Sequence, residues 1–330
     1  MRQELKGKIA IITGASSGVG WQSAVRLAEE GVRLLVVARR GEALELLCRE
    51  LRAKGHEAYA FVCDVTEQEQ VEAAVTECLN RYGKIDILVN NAAVQAYGYF
   101  DQLSWEEIER TFQVNAFGCF RFARAVLPHF RRQRSGHIIN VASMLSVGAA
   151  PLLSAYTAAK HAQFGWSEAL RLELHGTGID VSAVLVPSVS TPMFDHAPTH
   201  FDAAPQPVPP TYHPDVAAMA VVKVAKKPKS KEIPVFLQGS LIIWAQRLIG
   251  PLTDRIMGRF GARMQMRNEP VHRPRGNLFE PIPQGVGPMG SVPPTPKWKR
   301  YGGTAAIAAI AAGALAGVSF GATKVAKAVR

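Results

Sequence analysis

Cysteine is scarce in this chain: Cys48, Cys63, Cys78 and Cys119 are the four among 330 residues, and no two form a CxxC pair. That excludes a disulfide-stapled scaffold and a cysteine-built zinc site, and it fits a reducing compartment. Acidic residues are nearly missing from the last third. Residues 223–330 hold 18 Lys and Arg against 4 Asp and Glu, whereas residues 1–222 hold 20 against 23. The net charge of +11 therefore belongs to a basic appendage on a near-neutral body. Its natural partners are anionic lipid or plain solvent. Nucleic acid is a poorer fit, because the basic residues are spread through apolar and Pro-rich sequence with no element to read bases. Histidines are also too sparse for a metal site: His196 and His200 lack a third ligand nearby, so no metal is expected. An apolar run begins at Ile9 and a glycine turn at Gly14, which leaves no room for a signal peptide and gives a cytoplasmic expectation.

What is present is a regular alternation. Continuous apolar runs at 9–13, 32–38, 58–62, 85–90, 137–142 and 181–186 are separated by helix-length stretches at 42–54, 67–82, 104–133 and 155–175. Runs this unbroken suit strands covered on both faces, so the pattern predicts βαβ units and a doubly wound α/β domain with a parallel sheet. Residues 187–214 are Pro-rich, as mobile or lid-like segments are. A last helix is expected at 215–227 and a last strand at 233–237. The divisions read as an α/β body over 1–237 and a helical extension over 238–269, then a Pro/Gly-rich linker over 270–303 and an apolar tail over 304–330. The stretch 241–260 suits a surface-bound amphipathic helix or a docked one. Eight prolines and six glycines fall within 270–303, a composition that cannot build a core.

The first strand runs into Thr13-Gly14-Ala15-Ser16-Ser17-Gly18-Val19-Gly20 and then a helical stretch. This is where a glycine-rich turn lets backbone approach a pyrophosphate at a helix N-terminus. At the end of the second strand stand Arg39 and Arg40, with no acid to take a ribose hydroxyl. Guanidinium groups there suit a 2′-phosphate, which favours NADP(H) over NAD(H), although surface arginines are also ordinary. Tyr156 and Lys160 are spaced i, i+4 at a helix start and share one face, so an ammonium can tune a phenol whose reference pKa is about 10. Ser143 ends the strand before them, and Asn115 lies in the 104–133 helical stretch.

In that order and spacing the chain resembles the short-chain dehydrogenase/reductase family in its single-domain Rossmann form, over roughly residues 5–237. The resemblance assigns Thr13, Gly14, Ser16, Ser17, Gly18, Val19 and Gly20 to the cofactor turn, and Asp64 with Val65 to the adenine. It matches Asn90-Asn91-Ala92-Ala93 to the family's NNAG stretch, and Pro187 through Thr191 to its nicotinamide loop. The catalytic tetrad becomes Asn115, Ser143, Tyr156 and Lys160, with Tyr156 and Lys160 also touching cofactor. Tyr156 would exchange a proton with the substrate oxygen. Lys160 would bind ribose hydroxyls and lower the Tyr156 pKa, Ser143 would orient the oxygen, and Asn115 would hold a water. Three positions depart from the pattern: Ala93 and Ser188 replace glycines, and Ser17 stands where many NADP-binding members have a basic residue. The resemblance also implies a homodimer or homotetramer.

Val94, Tyr97, Met144, Leu145, Leu152, Met193 and Phe194 are the expected substrate lining, which favours a hydrophobic carbonyl or alcohol. Residues 304–322 carry no charge and are bracketed by Lys297, Lys299 and Arg300 before and Lys324, Lys327 and Arg330 after. Gly313, Gly317 and Gly321 stand at GxxxG spacing, so the tail reads as a short membrane helix, a membrane-surface segment or a docked helix. A non-enzymatic NADPH sensor acting through that tail is the alternative to an enzyme, and the intact tetrad argues against it.

Overall fold

The structure, a computed structural model, describes residues 4–228, 232–235, 251, 254–255 and 257–296. Its centre is a parallel sheet of seven strands: β1 (Ile9–Thr13), β2 (Arg33–Ala38), β3 (Ala58–Val62), β4 (Ile87–Asn90), β5 (Gly136–Ser143), β6 (Ile179–Val186) and β8 (Glu232–Pro234). The order is β3-β2-β1-β4-β5-β6-β8. Chain progression therefore reverses between β1 and β4, and the crevice above their carboxyl ends is where such sheets bind ligands. Ala10, Ile11 and Ile12 pair with Leu34, Leu35 and Val36 on one side and Ile87, Leu88 and Val89 on the other. All nine are at most 1% exposed, which explains why these runs carry no polar alternation.

Helices α1 (Gly18–Glu29), α2 (Gly41–Ala53) and α8 (Asp215–Ala225) contribute to the core on one face, through Leu27, Leu47 and Val221. On the other face α3 (Gln68–Tyr82), α5 (Gly118–Gln133) and α6 (Ser154–Glu173) bury Val71, Phe122, Phe130 and Leu170. Each fully buried phenylalanine stabilises by about 2–3 kcal/mol. α3 stops at Gly83, whose φ of 76° only glycine adopts freely and whose N–H returns to Leu79 O at 2.7 Å. The stretch read as one helix over 104–133 is three pieces: α4 (Trp105–Phe112), a π turn over Gln113–Phe117, and α5. A Ser104/Glu107 capping box starts α4, and the wide turn carries Asn115 inward.

After β6 the chain forms α7 (Pro192–His196) and β7 (Ala204–Pro205), which pairs with β9 (Met266–Arg267). Residues 270–296, expected as a linker, lie against the body instead. Leu278 is fully buried, Thr199 N–H donates to Arg273 O at 3.0 Å, and Thr295 N–H donates to Thr211 O at 2.8 Å. The segment needs no core of its own because its backbone groups and one leucine are satisfied by the body's. Most of the 241–260 stretch, residues 236–237 of the expected last strand, and the whole 304–322 tail lie outside the described residues. Among those described, no helix is long and apolar enough to cross a membrane.

Candidate active site

Above the sheet's carboxyl edge lies a cleft of about 680 Å³, within the range of cofactor and ligand sites. At one end the β1–α1 turn folds tightly. Gly14 has a φ of +66°, and a Cβ on it would sit 2.6 Å from Ala92 Cα. A Cβ on Gly20 would sit 2.4 Å from Gly14 O. Thr13 is buried beneath the turn: its Oγ1 accepts from Asn91 N at 3.0 Å and Ala92 N at 3.1 Å. Asn91 Nδ2 donates back to Thr13 O at 3.0 Å and Gly14 O at 3.1 Å. Thr13 and Gly20 therefore shape the turn from below, while Gly14, Ser16, Ser17, Gly18, Val19, Asn91 and Ala92 line the cleft.

Arg39, Arg40, Asp64 and Val65 line the same end. Burial pulls the pKa of both arginines down. Asp64 is held by Arg110, by Thr66 N–H at 3.0 Å and by Thr66 Oγ1 at 2.9 Å. Burial works to raise its pKa, but the Thr66 N–H and Arg110 outweigh it and keep the carboxyl below the usual range. Neither Ala93 nor Ser188 sits at positive φ; among the described non-glycine residues Arg134 and Leu152 do. The two departures from glycine are thus unstrained.

At the other end, β5 delivers Ser143 and the first turn of α6 delivers Tyr156, and both side chains line the cleft. Burial raises the Tyr156 pKa to about 12, with nearby Ser143 opposing it. Lys160 is 2% exposed, its Nζ 5.9 Å from the Tyr156 ring centre, and donates to Val141 O and Gln163 Oε1, both at 3.0 Å. Burial pulls its pKa down to about 8. The expected lowering of the Tyr156 pKa by Lys160 is not what this arrangement gives, because the ammonium faces the carbonyl and Gln163 while burial dominates the phenol. Asn115 is fully buried, and its carboxamide bonds to Val94 and Thr111. Pro187 and Thr191 border the cleft between the two ends.

The residues present suit a nicotinamide dinucleotide: a glycine turn at a helix N-terminus, two cations at one end, and a Tyr/Ser/Lys cluster at the other. A family model described as short chain dehydrogenase matches residues 8–200. An uncharacterised oxidoreductase of Bacillus subtilis is 33% identical over 272 residues, 81% of this chain and 76% of that protein. The chain belongs to the short-chain dehydrogenase/reductase family. A fatty acyl-CoA reductase of Acinetobacter baylyi is 35% identical over 233 residues, 69% of this chain and 76% of the relative. An actinorhodin polyketide ketoreductase variant solved with NADPH aligns at 31% identity with a TM-score of 0.62, covering 71% of this chain and 98% of that one.

In this short-chain dehydrogenase the cleft lining includes Val94, Tyr97, Met144, Leu145, Met193 and Phe194, while Leu153 lines it where Leu152 does not. Leu152, at a φ of 65°, packs with Tyr97 and Tyr156 instead. Met257 and Gln265, from beyond the sheet, also line it. Gln163 could have been found from its i+3 spacing to Lys160. Arg110, which pairs with Asp64, and the segment 277–282, whose Asn277, Pro281 and Ile282 wall the cleft, have no signature in the sequence.

Proposed function

We propose that this protein is an NADP(H)-dependent oxidoreductase that interconverts a hydrophobic carbonyl compound and its alcohol, with Tyr156 as the acid/base. The observation that carries the reading is buried Tyr156 with Lys160 Nζ 5.9 Å from its ring centre, lining with Ser143 one cleft that also takes in the glycine turn. The cofactor supplies the hydride. Ser143 and Tyr156 donate hydrogen bonds to the substrate oxygen, and Tyr156, protonated at neutral pH, yields its proton to the alkoxide as charge develops. Lys160 offers its ammonium to ribose hydroxyls, and Asn115 fixes the wall beside them. The turn from Gly14 to Val19 takes the pyrophosphate, Asp64 and Val65 border the adenine, Pro187 and Thr191 border the nicotinamide, and Arg39 and Arg40 attract a 2′-phosphate.

The substrate class rests on the Val94, Tyr97, Met144, Leu145, Met193 and Phe194 walls, and the fatty acyl-CoA reductase relative adds weight to a lipid-like acyl or carbonyl substrate. Phe117, Phe120 and Trp166 stack on the outer side of α5 and α6, the surface proposed to pair subunits. The tail at 304–322 is proposed to meet a membrane, which a detergent-dependent pellet would support. The decisive experiment is turnover of long-chain aldehydes, ketones and acyl thioesters with NADPH by wild type and Tyr156→Phe. Loss of at least a thousandfold in the variant, with cofactor still bound, is expected; equal turnover overturns the assignment.

A further inference from the structure

The cations at the adenosine end are already engaged by the chain itself. Arg39 Nη2 donates to Asn277 O at 2.6 Å, and its Nη1 to Phe279 O at 2.7 Å and Leu278 O at 3.4 Å. Arg40 Nη1 reaches Ile282 O at 3.2 Å, Gln284 O at 3.0 Å and Gly285 O at 3.3 Å, while its Nε and Nη2 hold Ser16. Farther along, Gly18 N–H, at the start of α1, donates to Gly287 O at 3.0 Å. Residues 277–287 thus present neutral carbonyl oxygens to the groups that would receive phosphate oxygens, and fully buried Leu278 pins the segment into the body's hydrophobic core.

We propose that the segment 277–287 is a strap that competes with the 2′-phosphate of NADP(H) for Arg39 and Arg40, so that its release sets the cofactor preference of the site. This rests on the NADP(H) reading above. A phosphate makes charge-assisted, bidentate bonds to guanidinium that a carbonyl cannot match, so NADP(H) can displace the strap. NAD(H) brings its pyrophosphate to Gly18 but no phosphate to Arg39 or Arg40, so it gains nothing from the exchange at the two guanidinium groups. One buried polar atom of the closed strap, Asn277 Oδ1, has no hydrogen-bond partner among the described residues. The closed position is therefore incompletely satisfied, as a displaceable one would be.

Leu278→Asp in the full-length chain should release the strap. Fluorescence titration should show NADPH binding about tenfold tighter than in wild type, with NADH changed less than threefold. In wild type, NADPH and not NADH should accelerate tryptic cleavage after the exposed Arg275. That second measurement decides the matter if the variant does not fold. Protection of Arg275 by NADPH, or equal weakening of both cofactors by Leu278→Asp, would make the strap a wall of the site and overturn the proposal. Unchanged NADPH affinity with the strap freed would overturn it too, while leaving the NADP(H) reading standing. A freed site that binds NADH and not NADPH would bring down the NADP(H) reading itself.

Discussion

Asn115 grips both backbone groups of Val94: its Oδ1 accepts the Val94 N–H at 3.1 Å and its Nδ2 donates to the Val94 carbonyl at 2.8 Å. A third bond, to Thr111 O at 2.9 Å, ties the amide to its own helix. The π turn places it so, and the pair joins the α4–α5 junction to the loop after β4 that forms one wall of the cleft. Asn115→Leu leaves the buried Val94 N–H and C=O unpaired, each worth about 1–3 kcal/mol. Urea unfolding should register a loss of about 2–4 kcal/mol. A variant as stable as wild type would mean that Val94 finds other partners.

Lys160 and Tyr156 should separate in a pH profile. On the proposed mechanism reduction needs Tyr156 protonated, and burial keeps it so up to about 12, whereas Lys160 loses its charge as pH rises through about 8. The fall in kcat/KM for carbonyl reduction on the alkaline side should therefore begin near pH 8 and follow Lys160. In Lys160→Arg the charge persists, so the limb should move up by at least one pH unit while the rate drops, because the planar guanidinium fits the ammonium's place poorly. An alkaline limb unmoved in this variant would assign it to another group.

The sheet was legible because strands covered on both faces show as unbroken apolar runs, and Tyr156, Lys160 and Ser143 were legible because helix spacing and a strand end bring them together. Hydrogen-bond partners were not. Nothing in the stretch 104–133 announces that it breaks into a π turn at Asn115, since the apolar period continues through it. The strap escaped for a different reason. Its Pro and Gly content correctly denies it a core of its own, but backbone carbonyls and a lone Leu278 suffice to dock it, and composition registers neither. From sequence Arg39 and Arg40 are cations suited to an anion, whereas the fold supplies them with oxygens from more than 230 residues away, Arg39 and Asn277 being 238 apart.

The glycine turn offers a steric prediction. A Cβ at Gly20 would lie 2.4 Å from both Gly14 O and Asn91 Nδ2, closer than any relaxed contact. Gly20→Ala must therefore push the β1–α1 turn away from Asn91 and open the place proposed for the pyrophosphate. Overpacking of this kind costs about 1–3 kcal/mol, and NADPH affinity should fall by tenfold or more. Gly165→Ala serves as control: nothing lies within 4 Å of its added methyl, and both stability and binding should hold. Equal binding by the two variants would show that the turn does not touch cofactor.

His137 makes acid stability testable. It is 5% exposed on β5, with Nε2 2.9 Å from Ser182 Oγ, and burial depresses its pKa from 6.5 to about 3. The sign follows from proton counting: between these values the unfolded chain binds a proton that the folded one refuses. Stability from this site is whole above pH 6.5 and is lost as pH falls towards 3, by about 1.4 kcal/mol per unit. Burial also depresses His129 and His196, so wild type alone cannot isolate the term. His137→Asn removes it while leaving those two in place. Urea denaturation at pH 7 and pH 5 should show the variant losing less free energy on acidification than wild type, by about 2 kcal/mol. Parallel losses in the two proteins would mean that His137 takes up its proton in the folded state as readily as in the unfolded chain.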